Sequence, residues 1–379
     1  MTRSNSLSLA VMVLTSITLF TVANYCGVGF TYDSYRYIDI AEQINKVGLL
    51  QAQGFNVKPP LYPLLIYCLG VKSIPIINIF CLTITCCVHH SFGYAVKTRL
   101  FRLLFWAISV FATPLYLVHS FAWTEPPFIS TLLLAFYFIY IYQKHRNSAY
   151  AYASTVLLLL LPFIRFAGIF IIIPTLFVLF LQLPVRLKWR LVIITCTGTL
   201  MFSIWVWQFG PGFLRRWHTL INPITNVSFS RYTDNLDSYS EALSIWILPL
   251  PVYKPLRILL AIAGLAAIVV SSVDFFRKKR GDILLGIPFI FLCYYLLLHL
   301  VFDVAYYSAE RYLTPMYSLL ILSLFLQLDQ KFVVLKSGVR MMAKVLLLAF
   351  LVYNIARTTK NVLFWNRTKC STILTLSKE

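Results

Sequence analysis

The sequence predicts an all-α fold, a polytopic transmembrane bundle of about eleven spans with interfacial helices in its first outer loop. Three observations carry that prediction. Hydrophobic residues make up 59% of the 379 and the mean hydropathy is +0.77. Charged residues make up only 12%, against about 25% in a soluble domain. The apolar residues also fall in long runs broken by short polar stretches, the mark of helices that cross a bilayer. Strands of a membrane barrel alternate apolar and polar residues and give no such runs.

The first run, 8–28, follows Arg3 and lacks a small-residue cleavage pattern, so it reads as a retained helix. The next runs fall at 75–96, 103–119, 127–142, 151–163, 167–183 and 190–208. The remainder lie at 256–273, 284–301, 313–328 and 345–356. Runs 151–163 and 167–183 are short and meet at Arg165, so they turn at the outer surface. The whole chain, 1–379, reads as one transmembrane domain with outer loops at about 29–74 and 209–255.

Five basic clusters set the orientation. They are Lys97/Arg99/Arg102, Lys144/Arg146, Arg186/Lys188/Arg190, Arg277–Arg280, and Lys331/Lys336/Arg340/Lys344. With the N-terminus inside, all five stay on the cytoplasmic side, as the positive-inside bias requires. The net charge of +20 thus belongs to loops that meet anionic membrane lipids, not to a nucleic-acid face. The tail, with Arg357, Lys360, Arg367, Lys369 and Lys378, then lies outside against the bias. A re-entrant tail or a count off by one removes the conflict.

Nine of the thirteen acids fall on the outer side: Asp33, Asp39, Glu42, Glu125, Asp234, Asp237, Glu241, Asp303 and Glu310. Asp and Glu hardly steer topology, so this skew is independent of the orientation and places the polar chemistry outside. Most of the eight cysteines sit within apolar runs as small hydrophobes, and they give no disulfide framework. No Cys/His cluster, Walker-type lysine or G-x-S-x-G elbow is present.

The outer residues define the candidates. After Asp33, apolar residues recur at Tyr37, Ile38, Ala41, Ile44 and Val47, and Gly48 ends the pattern. That period predicts a helix lying on the membrane surface. Asp33 or Ser34 reads as its N-cap, and Asp33 also as a catalytic carboxylate. In Lys58-Pro59-Pro60-Leu61 the prolines fix an extended turn that holds Lys58 at headgroup depth. There it either snorkels or meets a lipid phosphate. Glu125, at the mouth of a span, is costly unless partnered or functional. Arg165 in LLPFIRFAGIF is either an ion-pair partner of Glu125 or Asp303, or an anion clamp. Glu310-Arg311-Tyr312 offers an arginine fork for phosphate oxygens, or a local ion pair. Trp217, Asn222, Asn226, Arg231, Tyr232, Asp234, Asp237 and Tyr239 in the second outer loop suit sugar binding, and equally an ordinary aromatic belt.

Asp33 after the first span, the Tyr37/Ala41 helix, Gly48 and KPPL at 58–61 together resemble the GT-C superfamily of membrane glycosyltransferases. The likeness is strongest to the branch of protein O-mannosyltransferases and bacterial aminoarabinose and lipopolysaccharide transferases. TEPPF at 124–128, IRFAG at 164–168 and ERYLTP at 310–315 add to it. The resemblance implies a sugar donor on a polyisoprenyl phosphate or diphosphate, and inverting transfer on the outer face to a glycan, lipid or protein acceptor. Asp33 matches the family's first-loop aspartate as the base, with Glu125 or Asp39 as support. Lys58, Arg165 and Arg311 take the donor phosphate; Tyr37, Glu310 and Tyr312 are candidate substrate contacts. Many members carry Asp-Glu where this chain has Asp33-Ser34, so a divalent metal, though compatible, is not implied. A glycolipid flippase would need broken helices, midplane charges and repeated halves, none of which is evident. A polysaccharide polymerase or ligase usually has a large outer loop, and 209–255 is moderately large, so this alternative stays open.

Overall fold

A computed structural model describes residues 3–49, 51–52, 55, 58–181, 183–209, 229–247, 254–277, 282–301, 309–332 and 335–376. These residues form helices and no strand. In chain order they are α1 (Arg3–Ala23), α2 (Tyr32–Val47), α3 (Leu61–Leu69), α4 (Ile74–Gly93), α5 (Arg99–Val110), α6 (Thr113–His119), α7 (Glu125–His145) and α8 (Ser148–Ile164). There follow α9 (Ile169–Phe180), α10 (Val185–Phe209), α11 (Phe229–Ile247), α12 (Lys254–Arg277), α13 (Ile283–Val301), α14 (Ala309–Phe332) and α15 (Ser337–Leu376).

Eight stretches of the described residues are long and apolar enough to cross a membrane. They are Asn5–Ala23, Val71–Gly93, Arg99–His119, Glu125–His145, Val185–Gln208, Lys254–Arg277, Ala309–Phe332 and Ser337–Cys370. Three shorter apolar helices, Ser148–Ile164, Phe166–Phe180 and Ile283–His299, cover the other three runs read from the sequence. The long helices turn large apolar side chains outward, such as Trp207 (83% exposed) and Phe80 (65%). A surface of that kind is stable against lipid and not against water.

The chain divides into two compact units. The first holds Met1–Ser34, Lys72–Ser130 and Thr314–Glu379. In it α1 packs on α4, α5, α6 and α15, and α15 also packs on α5 and α6. Phe20, Ala23, Leu82, Tyr116 and Val362 form a buried cluster. At the start of α5, the carboxylate of Asp329 accepts the backbone N–H groups of Lys97 (2.8 Å) and Thr98 (3.1 Å). That carboxylate satisfies donors which a helix start leaves without intrahelical partners.

The second unit holds Tyr35–Val71 and Thr131–Leu313. Here α12 packs on α11 and α13, α13 on α9, and α8 on α3, α9 and α10. Ile40 and Ile44 of α2 form a buried cluster with Ala52 and Phe55, packed by Leu64 and Trp205.

Four expectations change. The 209–255 loop contains α11, whose Asn235, Tyr239, Ala242, Leu243 and Trp246 are buried at helical spacing. Pro60 is not extended: it has φ −76° and ψ −29°, and its carbonyl accepts the Leu64 N–H, so α3 starts at once. Proline is well suited there, since a helix's first N–H needs no partner. Cys26 and Cys370, 344 residues apart, are joined by a disulfide with Cα atoms 5.3 Å apart. The tail is not a separate segment after the last run. α15 is an unbroken helix of 40 residues, roughly 60 Å long at 1.5 Å per residue. The disulfide puts its C-terminal end beside that of α1, so the two helices run parallel.

Candidate functional site

In the first unit the candidate carboxylates Asp33 and Glu125 stand on the first turns of α2 and α7. The segments leading into these helices are tied together. Gly29 N–H donates to Ser120 O (2.8 Å) and Ala122 N–H to Gly29 O (2.9 Å). The Trp123 indole donates to Thr31 Oγ1 (2.8 Å). Thr31 precedes α2, and Ser34 Oγ accepts its backbone N–H at 3.0 Å. This is the reciprocal half of a capping box, with serine in the N3 role. Ser34 thus reaches back from N3, and Asp33 is not needed as the cap. Asp33 is half-buried, whereas Glu125 is fully buried and accepts from Thr124 Oγ1 at 3.4 Å. A carboxylate on a helix's first turn also faces the positive end of its dipole.

In the second unit α2 ends as the sequence predicts, with Gly48 at φ +83° closing it. Tyr37, Ile40, Ala41 and Ile44 are buried and Asp39 and Glu42 exposed. Asp39 therefore lies off the face that carries Tyr37. The Tyr37 ring meets Tyr62 edge-on at 5.2 Å and carries Lys58 Nζ at 5.2 Å from its centroid. The Arg165 guanidinium lies over the Tyr312 ring at 4.6 Å. Arg165 is a single extended residue (φ −155°, ψ 130°) between α8 and a 3-10 turn, Phe166–Gly168. A Cβ on Gly168 would sit 2.7 Å from the Leu161 backbone carbon, so only glycine lets that turn fold against α8. Arg165 and Arg311 are buried, at 9% and 7% exposure, and Glu310 and Tyr312 are half-buried. Tyr294 donates to Tyr312 O at 2.7 Å. Asp303, Trp217, Asn222 and Asn226 lie outside the described residues, as do the side chains of Arg231 and Tyr232.

Between α3, α8 and α10 lies an apolar cavity of about 660 Å³. Its walls include Pro60, Leu64, Leu159, Phe163, Gly198 and Trp205. Trp205 anchors one side, with Phe55, Phe163, Phe166 and Phe202 rings within 6.4 Å of it. Lys58 stands two residues before the lining residue Pro60, and Arg165 two residues after the lining residue Phe163. A long apolar guest suits such a lining. Among the described residues no three His, Cys, Asp or Glu side chains group as a metal would require.

No protein-family model, curated protein or solved structure matches this chain.

Two features went unread in the sequence. Lys369 Nζ donates to Asn24 Oδ1 (2.6 Å), Ser120 O (2.9 Å) and Ala23 O (3.1 Å), and sits 5.4 Å from the Phe121 ring. It reads as one more basic tail residue, yet it binds the end of α15 to the end of α1. The Cys26–Cys370 bond sits at the same place.

Proposed function

We propose that this chain is a membrane glycosyltransferase that moves a sugar from a polyisoprenyl-phosphate carrier to an acceptor at the outer side of the membrane. The observation that carries the reading is the 660 Å³ apolar cavity, whose lining residues Pro60 and Phe163 lie two positions along the chain from Lys58 and Arg165. It offers the chain of such a donor an apolar bed, and Lys58 and Arg165 are assigned to its phosphate. A cavity of this size is in the usual range for ligand sites, about 300–1,000 Å³. Inverting transfer needs a base for the acceptor and cations for the leaving phosphate. Asp33 takes the proton of the acceptor hydroxyl, whose oxygen attacks the anomeric carbon. The bond from that carbon to the phosphate oxygen breaks, and the phosphate leaves with the electron pair. Lys58, Arg165 and Arg311 are assigned to the negative charge that develops there. Glu125 is assigned a supporting role, and Asp39, exposed off the Tyr37 face, is not.

We further propose eleven spans with the N-terminus inside. Because α1 and α15 run parallel, the number of crossings from one through the other is odd. The eight long spans make an even number, so α13 is the natural ninth, and the α8–α9 pair brings the count to eleven. A disulfide at the outer ends of α1 and α15 suits an oxidising outer compartment, such as the periplasm beyond a bacterial inner membrane.

The test is to incubate purified protein with a panel of polyprenyl-phosphate sugars and acceptor glycolipids, and to follow release of the carrier phosphate. Release with at least one sugar is expected. Inertness toward every donor, with the carriers also failing to bind, would overturn the reading.

A further inference from the structure

We infer that Lys369 is a positioning residue for Asp33, acting through a chain of contacts that sets where α2 begins; this rests on the reading just proposed. Lys369 stands near the end of α15. Its ammonium has three N–H groups and three acceptors: Asn24 Oδ1 (2.6 Å), Ser120 O (2.9 Å) and Ala23 O (3.1 Å). Asn24 is itself oriented, since its Nδ2 donates to Phe20 O at 2.8 Å. Every donor of this ammonium is thus engaged within the protein, which sets Lys369 apart from the cations assigned to a phosphate. Its place is at a junction. Ala23 and Asn24 are at the end of α1, Ser120 lies between α6 and α7, and the next residue, Cys370, is bonded to Cys26.

Two routes lead from this ammonium to the start of α2. One runs through the backbone. Ser120 O accepts Lys369 Nζ and also the Gly29 N–H (2.8 Å), and Gly29 O accepts the Ala122 N–H (2.9 Å). A Cβ on Gly29 would lie 2.5 Å from the Phe121 ring and 3.4 Å from Lys369 Cε, so the close approach of these segments needs glycine. The other route runs through rings. Phe121, 5.4 Å from Lys369 Nζ, stacks on Trp123 at 4.5 Å and 14°. The Trp123 indole donates to Thr31 Oγ1 (2.8 Å), and the Thr31 N–H donates to Ser34 Oγ (3.0 Å). Asp33 lies between Thr31 and Ser34, on the turn that these contacts close. Hydrogen bonds from a charged donor are about twice as strong as neutral ones, so an ammonium clamps this junction better than a neutral side chain. A base must meet its hydroxyl within about 2.6–3.2 Å, and a shift of about 1 Å can slow a reaction on the order of a hundredfold.

The experiment uses the full chain in nanodiscs with a polyprenyl-phosphate sugar that the wild type accepts, and follows carrier binding and carrier-phosphate release. Lys369→Met keeps the stem and removes the charge, while the disulfide still holds the end of α15 to α1. Thr31→Val cuts the ring route at its far end. Each should lower kcat at least about tenfold with donor KM and carrier binding unchanged. The double variant should be no slower than the slower single one, because the two act along one chain of contacts. In an Asp33→Asn background, Lys369→Met should cost nothing further. Release at the wild-type rate by Lys369→Met would overturn the inference. So would a change in donor KM or carrier binding, losses that multiply in the double variant, or a further loss in the Asp33→Asn background. A wild type that releases no carrier from any donor would instead remove the proposed function, and this inference with it.

Discussion

The apolar cavity makes a prediction that depends on chain length. Gly198 of α10 packs against Leu159 of α8 in the cavity wall, and a Cβ at 198 would come within 2.7 Å of Leu159 Cδ1 and 3.1 Å of Cδ2. Gly198→Phe must therefore push Leu159 and its own ring into the 660 Å³ space. If they displace roughly five carbons of a guest, at about 0.8 kcal/mol per buried CH₂, the loss is about 4 kcal/mol. That is about a thousandfold in affinity at 1.4 kcal/mol per decade, and an upper figure, because the guest chain can shift. The assay is equilibrium binding in nanodiscs of two polyprenyl phosphates, one long and one too short to reach the cavity. Affinity for the long chain should fall steeply and affinity for the short chain should hold. Gly198→Ala should fall between wild type and Gly198→Phe. An equal loss for both lipids, or none for the long one, would refute the idea that the cavity holds the carrier's tail.

Other predictions concern the cations and the disulfide. Lys58→Ala should raise the donor KM while leaving acceptor KM unchanged; a change confined to the acceptor would remove Lys58 from the phosphate. Arg165→Ala and Arg311→Ala should each weaken binding of the phosphate far more than of the alcohol, and unchanged binding in both would mark them as structural cations. Cys26→Ser should lower stability by about 2–4 kcal/mol, as loss of a long-loop disulfide commonly does, read as a lower unfolding temperature. In the wild type a membrane-impermeant maleimide should label neither Cys26 nor Cys370 until a reductant is added, and ready labelling without one would contradict the bond.

Much of the helical frame is readable because apolar runs are long and their polar breaks sharp. The face of α2 follows directly from the spacing of Tyr37, Ala41 and Ile44, since burial obeys the 3.6-residue period. Other features were hidden for physical reasons. α11 is a helix, but its buried stripe mixes Asn235, Tyr239 and Trp246, and such mixed residues resemble an aromatic belt. The capping role of Ser34 depends on where α2 begins, and helix starts shift by a residue or two in any sequence reading. The sequence alone cannot pair Cys26 with Cys370 or Lys369 with Asn24, because contacts across some 345 residues leave no local pattern. The basic tail illustrates the same point. Lys369 reads as one more of its cations, and only the fold places it among the acceptors at the end of α1.

The proposed transfer needs Asp33 as its base, and one comparison tests that role most directly. Wild type and Asp33→Asn are placed in matched nanodiscs with a polyprenyl-phosphate sugar that the wild type accepts. Carrier binding and carrier-phosphate release are measured on the same samples. The account predicts equal binding and a loss of release of at least a hundredfold, as expected when a general base is removed. Release at the wild-type rate by Asp33→Asn would contradict it.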